Sequence, residues 1–344
     1  MRHLKIISVL FLVLILASCG KKEKKIPDAL RRLTKQEIPA PIPIDKGFSQ
    51  YVTGYTSGIV SSASPIEIRF TPEFAALADK SAGGIFSFDP YIKGKSEWKN
   101  ETTLVFTPSG LLDPGIVYTG TLNMGKLADL EERYRSFPIR IQVMRKDFRL
   151  ITGTLECDTE NEKNYILHGE IALSDVMADE EVEKLISAKL ERRKLPLVWD
   201  HSEKLIRRFI VKEITRASGN GTLSLEWDGT HAGINQEGVK KIIIPPSDKF
   251  SVLDVIKYPG QNPRIEVVFS DPPDENQELD GLIYFTPQKD LRISTNSNIV
   301  SLYPGNDLSG ELTLNIEASV RNKNKITLAE NYSTDLNFSQ VLPG

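Results

Sequence analysis

The chain has 344 residues and a formal net charge of −3 at pH 7, with 43 lysines and arginines against 46 aspartates and glutamates. Because this balance lacks the basic excess of nucleic-acid-binding proteins, we expect no nucleic acid partner. The length is sufficient for two or three domains, each with its own hydrophobic core.

The N-terminus has the pattern of a secretory signal peptide. Arg2, His3 and Lys5 precede an almost uninterrupted apolar run from Ile6 to Leu16. This run is shorter than the about 20 residues that a transmembrane helix needs, and small residues follow it. Residues 1–18 are therefore predicted to be a leader that is removed from the mature protein.

The end of this leader, Leu-Ala-Ser-Cys-Gly at 16–20, resembles the bacterial lipobox. The resemblance implies cleavage before Cys19 and lipid attachment to its thiol, and several acyl chains on one residue give a stable anchor. Gly20, rather than an aspartate, follows the cysteine, which by lipoprotein sorting rules favours the outer membrane. The alternative is an ordinary signal peptide with an incidental cysteine. We expect a lipid-anchored envelope protein that faces the periplasm or the outside.

A tether is predicted between the lipid and the folded body, over residues 19–47. Lysine-rich sequence leads into a segment with prolines at every second position, Pro39, Pro41 and Pro43. Alternating prolines prevent a helix and favour extended backbone.

The body is predicted to begin with a β-sandwich over residues 48–146. Apolar and polar residues alternate in short runs, as in Ile66–Phe70 and Phe137–Val143, and turn sequences such as Asp113-Pro114-Gly115 separate them. Alternation with a period of two indicates antiparallel strands with one buried face.

A second β-domain is predicted over residues 147–247, with one amphipathic helix at 179–193. Its strands are expected near 148–156, 165–173, 209–214, 223–227 and 239–244. The helix is predicted from apolar residues at helical spacing, from acidic residues at its start and from basic residues at its end. The apolar residues of this pattern are Val182, Leu185, Ile186 and Leu190.

The third unit, residues 248–344, repeats the pattern of the first. Ile265–Phe269 corresponds to Ile66–Phe70, and residues 281–287 correspond to 84–90. The same order of strands and turns indicates duplicated β-sandwich modules. The predicted fold class is therefore mainly β, with tandem antiparallel sandwiches of the immunoglobulin or fibronectin type.

Several strings, in their order along the chain, resemble the macroglobulin domains of bacterial alpha-2-macroglobulins. They are Tyr51–Ser61, Ser64–Phe70, Pro90–Trp98, Thr103–Pro108, Gly169–Asp175, Leu225–Gly229, Val267–Pro272 and Gln277–Leu282. The resemblance covers residues 48–344 and implies macroglobulin-type sandwiches in a protease trap, whose partners are proteases.

The chain departs from the complete pattern of that family. No Cys-x-Glu-Gln thioester sequence occurs, because Cys157 is followed by Asp158-Thr159-Glu160, and no bait region can be placed. The resemblance therefore implies the membrane-anchored N-terminal arm of an inhibitor, with a scaffold role. The alternative is a stand-alone β-sandwich lipoprotein that acts as a surface adhesin or as a glycan-binding or structural module.

Residues whose side chains could act in catalysis or metal binding are few and dispersed. The histidines His3, His168, His201 and His231 lack metal-site spacing, and no nucleophile elbow, dinucleotide loop or phosphate loop occurs. We therefore expect no enzymatic activity, cofactor or metal. The only residue assigned a role is Cys19, as the lipid attachment site.

For three further features we prefer a structural interpretation to a functional one. The acidic runs 271–276 and 158–162 could attract calcium, but they are predicted to be solvated turns. Cys157 follows a predicted strand and is expected to be buried rather than reactive. Trp98, Trp199 and Trp227 are dispersed in the sequence, and the last two are expected in the core.

Overall fold

The computed structural model describes residues 39–161, 163–258, 263–287, 289–304 and 310–338. The predicted signal peptide, the lipid attachment site Cys19 and the first part of the predicted tether lie outside these residues. Residues 39–45 have no regular secondary structure, and a 3-10 turn at Lys46–Gln50 follows them.

The first sandwich has eight strands in two sheets. They are β1 Val52–Tyr55, β2 Gly58–Val60, β3 Ile66–Phe70, β4 Phe86–Asp89, β5 Gly94–Trp98, β6 Thr103–Pro108, β7 Val117–Asn123 and β8 Ser136–Val143. The sheet orders are β1-β3-β6-β5 and β2-β8-β7-β4, and the pair β2–β8 is parallel. A short helix α1, Pro72–Leu77, follows β3 and is capped by the Thr71 side chain, which accepts from the Phe74 N–H.

The second sandwich also has eight strands. They are β9 Phe148–Cys157, β10 Asn164–Leu173, β11 Ile186–Leu190, β12 Arg193–Leu195, β13 Leu197–Asp200, β14 Ile206–Thr215, β15 Gly221–Asp228 and β16 Glu237–Ile244. The sheet orders are β13-β14-β10-β9 and β12-β11-β15-β16. A single helical turn, α2 Asp179–Glu183, lies between β10 and β11.

The third sandwich repeats the strand order of the first. Its strands are β17 Val252–Tyr258, β18 Arg264–Phe269, β19 Ile283–Thr286, β20 Leu291–Asn296, β21 Ile299–Pro304, β22 Gly310–Ile316 and β23 Tyr332–Phe338. Its sheets are ordered β17-β18-β21-β20 and β19-β22-β23. The first of these matches β1-β3-β6-β5 strand for strand, which confirms the predicted repetition.

Each sandwich encloses its own cluster of buried apolar side chains. The clusters draw on residues 48–143, 148–244 and 250–338. Alternation along the strands produces them: in β3, Ile66, Ile68 and Phe70 are buried while Arg69 is exposed. The predicted fold class is confirmed, because the described residues form small, almost wholly antiparallel sheets in tandem immunoglobulin-like sandwiches.

The predicted helix at 179–193 is wrong. The helical part ends at Glu183, and Ile186–Leu190 forms strand β11, which pairs with β15. Ile186, Ala188 and Leu190 also alternate with Ser187 and Lys189, so the same residues satisfy a period of two. Pairing with β15 satisfies the backbone hydrogen-bonding groups of both strands and completes the sheet. The free energy of this tertiary pairing outweighs the local preference for a helix.

The first and second sandwiches are joined through one buried carboxylate, that of Asp175, which is 4% exposed. It accepts hydrogen bonds from the Ser61 hydroxyl at 2.5 Å and from the Ser62 backbone N–H at 2.6 Å. The Val176 N–H donates to the same group at 2.9 Å. Charge-assisted bonds of this kind are stronger than neutral ones, so Asp175 fixes the loop after β2 against the second sandwich.

The second and third sandwiches are joined through Arg216, whose side chain is 6% exposed. Its five N–H groups have five acceptors: the carbonyls of Pro245, Pro246, Lys249 and Ser270, and the Asp271 carboxylate at 2.6 Å. Arg216 thus ties the linker between β16 and β17, and the end of β18, to the second sandwich.

Two further side chains, those of Tyr165 and Asn298, contribute to this junction. The Tyr165 hydroxyl donates to the Ser270 carbonyl at 2.5 Å, and burial raises the pKa of Tyr165, so the phenol stays protonated. The Asn298 amide spans the two sandwiches, because it donates to Leu155 and Phe269 carbonyls and accepts from the Cys157 N–H. The junction is a buried polar network in which each side chain serves both sandwiches.

We predict that Arg216→Ala strongly destabilises the protein. The substitution removes the guanidinium from Asp271, which keeps only the bond from the Ser270 hydroxyl among the described groups, and takes the arginine donors from the linker carbonyls. Breaking a buried pair in this way costs about 3–5 kcal/mol. Arg216→Lys should restore only part of the loss, because an ammonium cannot supply five donors in one plane. Calorimetric unfolding of the full chain measures the effect.

Arg193→Ala is the matched control. Arg193 pairs with Glu213 at 3.1 Å on the surface of the same sandwich, and an exposed pair is worth about 0–1 kcal/mol. Equal stability of the Arg216→Ala and Arg193→Ala proteins would contradict the importance assigned to the junction.

Candidate functional site

Cys157 is buried, as predicted, at the end of β9. Its backbone N–H donates to the Asn298 side chain at 2.9 Å, and its Sγ lies 3.8 Å from the Ser270 carbonyl oxygen. The thiol is therefore a component of the junction between the second and third sandwiches.

The three histidines within the described residues occupy different places on the second sandwich. His168 is exposed on β10, 4.0 Å from Glu156. His201 contacts Asp179 and Glu183 of α2 at 3.5 and 2.9 Å. Among the described residues, no group of three or more His, Cys, Asp or Glu side chains is arranged to hold a metal ion.

The prediction that 271–276 is a solvated turn is wrong for its two aspartates, which are largely buried and paired, while Glu275 is exposed. Asp271 binds Arg216, and Asp274 accepts from Lys325 at 2.6 Å and from Arg321 at 2.7 Å. These bonds, led by the one from Lys325, hold the pKa of Asp274 well below its usual range. Basic residues about fifty positions away in the sequence thus occupy the oxygens that calcium would need.

The acidic run 158–162 is also only partly solvated. Asp158 is buried, while Glu160 is exposed and pairs with Lys212 at 3.0 Å. Glu162 lies outside the described residues.

The tryptophans are half-buried at the borders of the cores. Trp98 packs on the first core, and Trp199 and Trp227 pack on the second. Trp199 stacks on His201 with ring centroids 5.7 Å apart, and it also meets Phe209 at 5.2 Å. The expectation that Trp199 and Trp227 belong to the core is met in part, since neither is fully buried.

The outer surface of the sheet β13-β14-β10-β9 carries a depression of about 510 Å³, which we call the sheet-face groove. Two rows of side chains across the strands build it: Val198, Ile210 and His168 form one row, and Asp200, Arg208, Glu170 and Ile151 form the other. Its aliphatic side chains are Val198 on edge strand β13, Ile210 on β14 and Ile151 on edge strand β9, and the polar side chains of the two rows lie beside them. Val198 is 50% exposed.

The groove has a rigid floor because the row of residues between these two packs inward. Phe209 is 1% exposed and lies against Gly169 of the neighbouring strand. A Cβ atom at Gly169 would lie 2.3 Å from the Phe209 ring, so this position must be glycine for the ring to cross the strand. The Phe209 ring therefore packs directly against Gly169 beneath the groove.

The groove carries charged side chains at neutral pH. The hydrogen bond from Arg208 to Glu203, at 2.7 Å, raises the pKa of Arg208, and Glu170 lies 3.8 Å from the same guanidinium. The backbone N–H of Ser202 donates to Asp200 and lowers the pKa of that carboxyl group. The groove thus contains both anionic acceptors and a cationic donor.

The described lining residues of the sheet-face groove combine carboxylates, a guanidinium and an imidazole with aliphatic side chains. Sequence analysis did not identify it, because His168, Glu170 and Arg208 are ordinary outward residues of alternating strands. Their convergence depends on which strands pair, and the missed strand β13 supplies Val198 and Asp200.

Within the described residues, no helix combines the length and apolar character that crossing a bilayer requires. No protein-family model and no curated protein sequence matches the chain.

Solved structures with some similarity are tandem-domain proteins. Domains 1–6 of the surface layer protein SbsC have 9% identity and a TM-score of 0.20, over 84% of this chain and 54% of that one. The Bacteroides ovatus mixed-linkage glucan utilization locus SGBP-B, in complex with a mixed-linkage heptasaccharide, has 10% identity and a TM-score of 0.25, over 87% of this chain and 69% of that one. This chain spans about half the length of the SbsC fragment. The likeness concerns the β-sandwich fold class and carries no functional conclusion.

We predict that Asp274→Asn destabilises the protein at neutral pH and has less effect in acid. The native pKa of Asp274 is depressed, so its contribution is present above the ordinary aspartate pKa of about 3.9 and is lost as the pH falls below that value. The difference in Tm between the two proteins should therefore be largest near neutral pH and shrink below about pH 4.

Asp129→Asn provides the comparison for this pH series. Asp129 is 99% exposed in its side chain and pairs with Arg135 at 3.4 Å, so its substitution should change Tm little at any pH. A constant Tm difference for Asp274→Asn across the pH range would show that the carboxylate charge is not what stabilises the turn.

Proposed function

We propose that this chain is a lipid-anchored glycan-binding module of the bacterial cell envelope, and that the sheet-face groove is its binding site. The observation that carries the proposal is the groove itself: a depression of about 510 Å³ that combines exposed aliphatic side chains with charged ones.

The size of the groove favours a small segment of a polymer over a flat protein surface. Ligand sites in proteins measure about 300–1,000 Å³ and combine apolar walls with a few polar groups that fix orientation. A sugar ring offers an apolar face of C–H groups and a border of hydroxyls. Val198 and Ile210 would contact the face, while Asp200, Glu170 and Arg208 would bind hydroxyls through charge-assisted hydrogen bonds.

The proposed cellular location of the module rests on the predicted signal peptide and lipid attachment site. Lipid on Cys19 would anchor the protein to the envelope, with the outer membrane as the expected membrane and the periplasmic or outer face as the site of action. The proposed activity is binding without catalysis, needs no cofactor and involves the membrane only through the lipid.

The second candidate is the membrane-proximal arm of an alpha-2-macroglobulin-like protease inhibitor. The supporting observation is that most of the macroglobulin-like strings overlap sandwich strands; for example, Ser64–Phe70 contains β3 and Val267–Pro272 overlaps β18. In this case proteases would be partners of the complete protein. Sequencing the source DNA downstream separates the candidates: further macroglobulin domains and a bait segment support the arm, and their absence removes it.

We predict that Val198→Asp abolishes binding of the full chain, purified in detergent, to glycans that the wild-type protein recognises on a glycan array. The new carboxylate would replace an exposed aliphatic contact of the groove with a charge and prevent contact with a sugar face. Titration calorimetry with the strongest array glycan measures the loss, which we expect to exceed about tenfold in Kd.

Val239→Asp is a closely matched control. Val239 lies on the edge strand β16 of the same sandwich, and it is 51% exposed, so the substitution should leave glycan binding unchanged. An array on which the wild-type protein binds no glycan would remove the proposed function. Equal losses in the two variants would show that the sheet-face groove is not the site.

A further inference from the structure

A second depression, of about 550 Å³, lies where the second sandwich meets the third; we call it the junction groove. Edge strand β16 and the chain segment that enters β17 form its walls. Ile242, Ile243 and Leu253 give it apolar surface, and Ile243 is 61% exposed. Arg216 holds the linker beside the groove through the carbonyls of Pro245, Pro246 and Lys249.

Three lysines line the junction groove: Lys240 and Lys241 on β16, and Lys249 in the linker. All three are exposed, and none forms an ion pair with a carboxylate of the described residues. Lys240 bonds instead to the hydroxyl of Thr152. Asp254 is the acidic residue of the lining, and its carboxylate accepts from the Val255 N–H. The groove therefore has a net positive charge.

Protection of a sheet edge explains only part of this arrangement. Lysines on edge strands prevent pairing with other chains, and this accounts for Lys240 and Lys241 on β16. Lys249 lies outside any strand, after Pro245 and Pro246, so edge protection gives no reason for its charge. The exposed apolar surface beside the lysines also has no role in edge protection.

The two grooves share one lining residue, Gly153, at the irregularity in β9 where the pairing with β10 shifts. Gly153 is exposed and has no side chain to obstruct a ligand. An extended ligand that crosses Gly153 would reach from Val198 to the lysines of the junction groove.

We propose that the junction groove binds the anionic groups of an acidic polysaccharide whose neighbouring residues occupy the sheet-face groove. The lysines supply charge complementarity for carboxylate, sulfate or phosphate substituents, and the apolar surface contacts the sugar rings. This inference rests on the proposed function and adds the ligand class: a charged, extended glycan that spans both sandwiches.

The test uses the full chain in detergent and an array of uronate-containing, sulfated and phosphorylated oligosaccharides, each beside its neutral counterpart. We expect the wild-type protein to bind at least one acidic oligosaccharide about tenfold more tightly than the neutral counterpart, with affinity falling as salt increases. Joint substitution of Lys240, Lys241 and Lys249 by Gln should remove this preference and leave binding of the neutral counterpart unchanged.

Joint substitution of Lys46, Lys93 and Lys95 by Gln is the control. These exposed lysines belong to the first part of the chain, so the variant has the same change in net charge and should bind like the wild-type protein. Val198→Gln, which changes no charge, should weaken binding of acidic and neutral oligosaccharides alike.

The outcomes separate this inference from the proposed function. Equal binding of acidic and neutral oligosaccharides, or equal behaviour of the two lysine variants, overturns the inference and leaves glycan binding in place. If binding depends on the lysines but Val198→Gln leaves it unchanged, the ligand does not extend across both grooves. The sheet-face groove is then not part of the site. No binding to any oligosaccharide overturns both.

Discussion

The arrangement of the second and third sandwiches depends on one buried guanidinium. Arg216 has five N–H groups, and the structure provides an acceptor for each, four of them backbone carbonyls and one the carboxylate of Asp271. A buried charge is tolerated only when it is paired and fully hydrogen-bonded. Because the acceptors come from the linker and from β18, this requirement fixes the third sandwich against the second. The walls of the junction groove are fixed by the same bonds.

The junction of the first and second sandwiches follows the same principle with the opposite charge. Asp175 is buried. It accepts hydrogen bonds from the Ser61 hydroxyl and the Ser62 N–H in the loop after β2, and from the N–H of the adjacent Val176. The first junction has a buried carboxylate, and the second has a buried guanidinium together with Tyr165 and Asn298. Such a network is directional, so it specifies one geometry where apolar contact alone would permit sliding. The junction groove is therefore preformed, and the proposed binding needs no ordering step there.

Part of this organisation follows from local sequence pattern. The alternation in Ile66–Phe70 and Ile265–Phe269 predicted strands, and the structure places them as β3 and β18, at corresponding positions of repeated sheets. The segment 186–190 shows where local pattern fails, because Ile186 and Leu190 satisfy helical and strand periodicity together. Pairing with β15 decides between them, and that strand lies more than thirty residues away. The prediction of a solvated turn at 271–276 was wrong for Asp274 for a similar reason, because its partners Arg321 and Lys325 are distant in sequence.

The sequence by itself determined the mainly β fold class, the repetition of sandwiches and the burial of Cys157, because these depend on periodicity and composition within short windows. The tertiary structure decided the location of the grooves, the roles of Arg216 and Asn298, and the pairing of Asp274. Each of these needs groups from separate strands or separate sandwiches to meet, as when Val198, Ile210 and His168 form one row across β13, β14 and β10. Strand register is set by the packing of the whole sheet, and no short window of sequence contains that information.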